Sequence, residues 1–212
     1  RIPAAEFDAI GVTLEYELNY SNVLHLLDLA GIALESKDRK ETDPVVIAGG
    51  SACVNPEPMA DFIDVFFIGD GEEAAAEICA VLKESKKAGL SRGERIKALS
   101  RLRGAYVPAY YEPVYGEPGV QAGIKKNQDG APERIKVRTI KDLDSAFHPV
   151  KLIVPNFETV FNRGVVEIAR GCKNACRFCQ AGFIYRPYRE RSVENIKSII
   201  KKIFLNTGYT EF

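Results

Sequence analysis

The sequence predicts an α/β protein built on a parallel sheet, and three observations carry that expectation. Residues 7–14, 45–48 and 65–68 are short runs of strand formers that stay apolar instead of alternating, the pattern of strands buried on both faces. Segments with helical spacing alternate with them as far as residue 87, which implies right-handed crossovers and cover on both faces of the sheet. Two strand ends carry glycines, Gly49-Gly50 and Gly69-Asp70-Gly71, where a chain turns sharply from strand to helix.

Composition sets the bounds. With 212 residues, 46% of them hydrophobic, the chain can bury a substantial core in one large or two small domains. No apolar run approaches the roughly 20 residues that span a bilayer, and the first residues lack the apolar centre of a signal peptide, so the sequence reads as soluble, cytoplasmic and without a membrane partner. Three of the five cysteines crowd between 172 and 179, which suits metal binding in a reducing compartment and not a secreted disulfide framework. The formal charge of zero hides a division: residues 1–90 hold 7 Lys/Arg against 17 Asp/Glu, net −10, and residues 91–212 hold 22 against 12, net +10. The basic half either packs on the acidic one or faces an anionic partner such as RNA.

The elements follow in order. After the first strand, Asn19 or Ser21 caps a helix whose apolar face is Val23, Leu24, Leu27 and Leu29, with Leu26 at its edge and Gly31 at its end. Asp43-Pro44 leads into the second strand, and residues 56–63 form a short helix with proline in its first turn. The third strand runs into Gly69-Asp70-Gly71-Glu72, and a helix over 73–87 offers Ala76, Ile78, Cys79, Val81 and Leu82 for packing. Glycines on the carboxyl edge of such a sheet lie where ligands bind in open α/β folds, although tight turns alone account for them as well.

A basic helix spans 92–103, and the aromatic, proline-rich residues 106–115 fit an edge strand or an ordered linker. A β-hairpin is expected to pair residues 120–124 with 134–140 across Asn127-Gln128-Asp129-Gly130. The tyrosines here would stack on nucleic-acid bases or simply pack. Residues 142–162 look irregular. A strand over 164–169 then feeds the cysteine loop, and 193–206 is an amphipathic helix with Ile196, Ile199, Ile200, Ile203 and Phe204 at helical spacing, Ser192 as cap and Gly208 as stop. Residues 209–212 would begin another strand, so the chain reads as a fragment with neither end a natural terminus.

Chemistry concentrates in Gly171-Cys172-Lys173-Asn174-Ala175-Cys176-Arg177-Phe178-Cys179-Gln180, a CxxxCxxC spacing. Soft thiolates at short intervals suit iron–sulfur clusters or zinc. Structural zinc takes four closed ligands, commonly as two separated pairs, and there is no second pair; His25 and His148 are the only histidines, Cys53 belongs to the first half, and Cys79 falls on the apolar face of its helix as a buried thiol. Three cysteines on a four-iron cluster leave one iron open to a small molecule.

These residues, with Arg170-Gly171 before them and aromatic Phe178 ahead of the last cysteine, resemble the signature of the radical S-adenosylmethionine enzymes. The resemblance implies that Cys172, Cys176 and Cys179 ligate a 4Fe–4S cluster, that S-adenosylmethionine binds the fourth iron, and that Phe178 packs near its adenine. It also implies a 5′-deoxyadenosyl radical acting on an unknown substrate, RNA or a small molecule, and an electron donor such as flavodoxin or ferredoxin. Residues 46–50 and 64–72 are similar to the last strands of the Rossmann- or flavodoxin-like cobalamin-binding domain found ahead of the radical domain in many members. On that likeness Gly49, Gly50, Gly69, Asp70, Gly71 and Glu72 would line a cobalamin site, although the DxHxxG motif that supplies an axial histidine is absent.

The expected organisation is therefore the C-terminal part of a cobalamin-binding-like domain over 1–90, a linker with basic helix and β-hairpin over 91–160, and the first βα unit of a partial TIM barrel over 161–212. Such a piece would be inactive alone. The alternative is a non-enzymatic module that uses the loop to bind metal or RNA.

Overall fold

The computed structural model describes residues 2–157, 159–174 and 176–212; Arg1, Glu158 and Ala175, the last inside the cysteine stretch, lie outside the described residues. The chain divides into two units, Arg1–Thr139 and Ile140–Phe212.

In the first unit β1 (Ala9–Thr13), β2 (Val45–Gly49) and β3 (Val65–Phe67) pair in parallel, with Ala9 opposite Val45 and Ile47 opposite Val65. A short β4 (Ala105–Tyr106) adds antiparallel to β3, giving the order β1-β2-β3-β4. Val45 through Ala48 are all buried because β2 has a strand on each side and cover on each face. Successive residues point opposite ways. Val46, Ala48 and Phe66 enter one core with Leu14, Val23 and Leu27, while Val45, Ile47, Val65 and Phe67 enter a second with Ala74, Leu99 and Val107. Each valine, leucine, isoleucine or phenylalanine among them contributes about 1.5–3 kcal/mol on burial.

The first core is covered by α1 (Tyr20–Leu29) and the second by α2 (Glu72–Lys87) and α3 (Arg92–Leu99). Gly31, at φ +67°, ends α1 as expected, and Ile32 N–H turns back to the Leu27 carbonyl at 3.0 Å. Ser91 and Glu94 form a reciprocal capping box on α3. Leu29, counted on the apolar face of α1, is instead exposed, because Val23 and Leu27 set the buried stripe. Cys79 is likewise exposed: Ala74, Ile78 and Ser85 mark the inner stripe of α2, and one residue past Ile78 the helix has turned by about 100°. The helix expected over 56–63 is a single 3-10 turn, Glu57–Met59.

A charged group sits beneath these layers. The buried Asp64 accepts from Ser36 Oγ, from the Val46 amide at 2.7 Å and from Arg92, and it forms an ion pair with Arg39 at 2.9 Å. Arg39 Nε and Nη2 donate to the carbonyls of Ala33, Leu34 and Phe62. Burial pulls the Arg39 guanidinium below the usual arginine range, and Asp64 opposes that pull.

A hairpin forms, but with other partners than expected. β5 (Tyr111–Tyr115) pairs with β6 (Gln121–Lys126), Tyr111 opposite Lys126 and Pro113 opposite Ile124. Residues 134–139 do not join it. Beyond the Gly130 turn at φ +85° the chain runs back to the main sheet, where Arg138 pairs with Gly69, two residues past β3, and buries its side chain. An exposed two-stranded ribbon offers far less than that buried edge. Tyr106 and Tyr111 stack at 4.9 Å, so these two aromatics serve packing.

In the second unit β7 (Ala169–Arg170) pairs antiparallel with β8 (Arg189–Glu190), α4 (Ala181–Ile184) lies between them in sequence, and α5 (Val193–Thr207) follows. Ser192 caps α5 by accepting from the Asn195 amide at 3.1 Å, and Gly208, at φ +77°, closes it. Ile199 and Ile203 are buried, as the spacing required, whereas Phe204, placed on the same face, is exposed because Ile199 and Ile203 set the inner stripe. The strand expected over 164–169 shrinks to its last residue plus Arg170, since among the described residues β8 alone pairs with it; Arg191 N–H reaches the Ile168 carbonyl at 2.9 Å, and Gly164 N–H reaches the Glu211 carbonyl at 2.9 Å. Phe147, Ile153, Phe157, Val160, Phe161 and Val165 stand exposed, Ile153 and Val160 above nine-tenths. Among the described residues no helix is long and apolar enough to cross a membrane.

Candidate metal centre

The cysteine loop leaves β7 through Gly171, whose φ is +90°. A Cβ there would lie 2.5 Å from the Tyr185 carbonyl oxygen and 3.2 Å from that of Pro187, so only glycine lets the two backbones touch. A second close approach backs the loop from the other side: a Cβ on Gly182 of α4 would meet the Asn174 carbonyl oxygen at 2.9 Å. Cys172 Cβ lies 4.0 Å from the same point. The amide of Cys179 turns back to the Cys176 carbonyl at 3.1 Å, and the following Gln180 carbonyl receives Phe183 and Ile184 N–H at 2.8 and 2.9 Å, which starts α4.

Charged side chains hold this frame. Arg189 donates to the carbonyls of Ile140, Tyr185 and Pro187 at 2.7, 3.2 and 2.8 Å, stiffening the very segment that Gly171 rests against. Arg186 Nε reaches the Gly182 carbonyl at 2.7 Å while its guanidinium lies over Phe183. On the loop itself Lys173 sits 4.5 Å from the Tyr188 ring centre and 3.3 Å from Glu190, and Tyr188 Oη also donates to Glu190.

Upstream, Arg170 grips Glu167 with two bonds of 2.8 and 2.9 Å, which holds that carboxyl below its usual range. The buried Arg191 approaches the same carboxylate at 3.8 Å. His148 accepts from the Glu167 amide at 3.3 Å, a local role.

The three thiols are free: Cys172 and Cys179 are half-buried and Cys176 is exposed. Phe178 is 92% exposed. Among the described residues no group of three His, Cys, Asp or Glu side chains is gathered closely enough to hold a metal ion. In its chemistry, three thiols without a disulfide on one short loop, the donor set fits a thiophilic cluster.

The strand-end residues lie in the other unit. Gly49 ends β2, Glu72 opens α2 and Gly71 faces open space, whereas Gly50 and Gly69 face protein backbone and Asp70 is buried. Cys53, near Gly50, is buried, and desolvation pushes its thiol up to about 12. Native alkylation at pH 8 followed by mass spectrometry is therefore expected to label Cys79 and Cys176 early and Cys53 last; early labelling of Cys53 would mean that this core opens readily. What sequence reading missed around the loop is its backing by Gly182, Arg186 and Arg189. Those contacts end on main-chain carbonyls, which every residue carries, so no residue type at the receiving end marks them.

The sequence model of the family described as "Radical SAM proteins, N-terminal" matches residues 1–108. "Uncharacterized protein MJ0966" of Methanocaldococcus jannaschii is 26% identical over 202 residues, covering 90% of this chain and 34% of that protein. The chain thus spans about a third of the length of the curated relative it matches.

Proposed function

Since the chain belongs to the radical SAM proteins, we propose that Cys172, Cys176 and Cys179 hold a 4Fe–4S cluster and that the loop around them is the S-adenosylmethionine site of a radical enzyme. One observation carries the reading: three free thiols at CxxxCxxC spacing in a chain whose family match ends at residue 108, so that family and motif support each other from separate residues. When bound, the cluster supplies the electron that cleaves S-adenosylmethionine to methionine and a 5′-deoxyadenosyl radical.

The chain's own residues supply placement. Gly171 and Gly182 let the loop lie against residues 185–188 and α4, and Arg189 keeps that support from shifting. Phe178, turned outward, offers an aromatic face to the adenine. On this reading residues 161–212 begin the barrel of the radical domain, the preceding α/β unit is a Rossmann-like neighbour, and an electron donor of the flavodoxin or ferredoxin kind acts with the protein in the cytoplasm. The substrate belongs to the whole protein.

Anaerobic reconstitution with iron and sulfide tests the proposal. About four irons and four sulfides per chain are expected, with a visible charge-transfer absorption. Changing Cys172, Cys176 and Cys179 together to alanine should abolish both. One zinc without sulfide, or a cluster that survives the triple change, would overturn the assignment.

A further inference from the structure

The carboxyl ends of β2 and β3 are where an open parallel sheet receives a ligand, and resemblance to cobalamin-binding domains points a corrinoid there. The protein's own backbone fills the space beside both glycine turns. At Gly50, φ +112°, a Cβ would lie 2.5 Å from the carbonyl oxygen of Leu14. Leu14 is fixed there from both directions, its N–H donating to the Gly49 carbonyl at 2.7 Å and its own carbonyl accepting from Ala52 at 2.9 Å.

Gly69 is tighter still. Its φ is +111°, and a Cβ would fall 2.1 Å from the Arg138 carbonyl oxygen and 2.6 Å from its nitrogen. Arg138 N–H donates to the Ile68 carbonyl at 3.0 Å, and Asp70 N–H donates to the Arg138 carbonyl at 2.9 Å. The Ile68 carbonyl and the Asp70 amide, two main-chain groups a ligand would meet at the end of this strand, are therefore already paired. These glycines lack side chains to admit chain, not cofactor.

The segment that does this is anchored along its length. Ala131 is buried, the Pro132 carbonyl accepts from Tyr111 Oη at 2.7 Å, and Ile135 packs against the core that contains Phe66 and Tyr106. Arg138, 6% exposed, forks onto Glu77 of α2 at 3.0 and 2.6 Å and reaches Glu73 at 3.4 Å. The Glu77 contact holds that carboxyl below its usual range. We infer that residues 131–139 form an internal strap occupying the ligand edge of this sheet, and that the α/β unit is a closed scaffold that takes no corrinoid.

The test is made on this unit, so its result is separable from the fate of the cysteine loop. After incubation with excess hydroxocobalamin and gel filtration, the protein is expected to carry no corrin absorbance, and added hydroxocobalamin should leave its melting temperature unchanged. Retention near one corrinoid per chain, or a melting temperature that climbs with its concentration, would overturn the inference. Hydrogen exchange supplies the second measurement. Peptides containing Asp70 and Arg138 should be protected in the native protein and should exchange at least about tenfold faster in Glu77→Gln, which keeps the side-chain shape while weakening the clamp. Fast exchange of both peptides in the unaltered protein would show the strap unseated and refute it.

Discussion

Replacing Asp64 by alanine is expected to cost about 3–5 kcal/mol, a large share of the stability of an ordinary domain. The carboxylate is the shared counter-charge of two arginines whose side chains are 0% and 9% exposed, and without it both would remain in the interior as uncompensated cations. Its loss would also orphan the Val46 amide and the Ser36 hydroxyl. Asp64→Asn should be less severe, since it keeps an acceptor while removing the charge. Denaturant unfolding followed by circular dichroism reads the difference, and a loss below about 1 kcal/mol for the alanine variant would show that the arginines find other partners.

Gly171→Ala carries the second large effect. Holding a non-glycine residue at φ +90° costs about 1–3 kcal/mol, and the added carbon cannot stay 2.5 Å from the Tyr185 oxygen, so the loop must leave its support. Each 1.4 kcal/mol is a factor of about ten in an equilibrium. The reconstituted variant is expected to hold less than about a tenth of the normal iron, and limited proteolysis should nick it between residues 171 and 191, while unfolding of the first unit stays unchanged. Normal loading would show that the cluster tolerates a displaced loop.

The parallel sheet was readable because burial on both faces leaves an uninterrupted apolar run, as in residues 45–48. Helix ends were readable where chemistry is local: Gly31, Gly208 and Ser192 each act on residues within one turn. What escaped depends on distance in the chain. Asp64 meets Ser36 and Arg92 each 28 residues away, so a carboxylate before a strand gave no hint of its partners. The hairpin register failed for the same reason, since Arg138 is claimed by β3 before residues 134–140 can meet 120–124.

Around the cysteines the spacing alone suggested the proposed donor set. Its backing by Gly182 and Arg189 stayed hidden, because a carbonyl pressed against an α-carbon leaves no mark in composition. Cys79 shows how fine the limit is: a single helical position separates the inner stripe of α2 from solvent.

The strap also sets an order of events. Arg138 and Glu77 stand 61 residues apart, and the hairpin and α3 must be made between them before they meet. As the chain emerges from synthesis, β1, β2 and β3 can pair while the edge beyond Ile68 is still bare, and the sheet is sealed only when residue 138 arrives. Until that moment the carbonyl of Ile68 and the amide of Asp70 are an open strand edge, the surface on which a nascent chain is most exposed to mispairing.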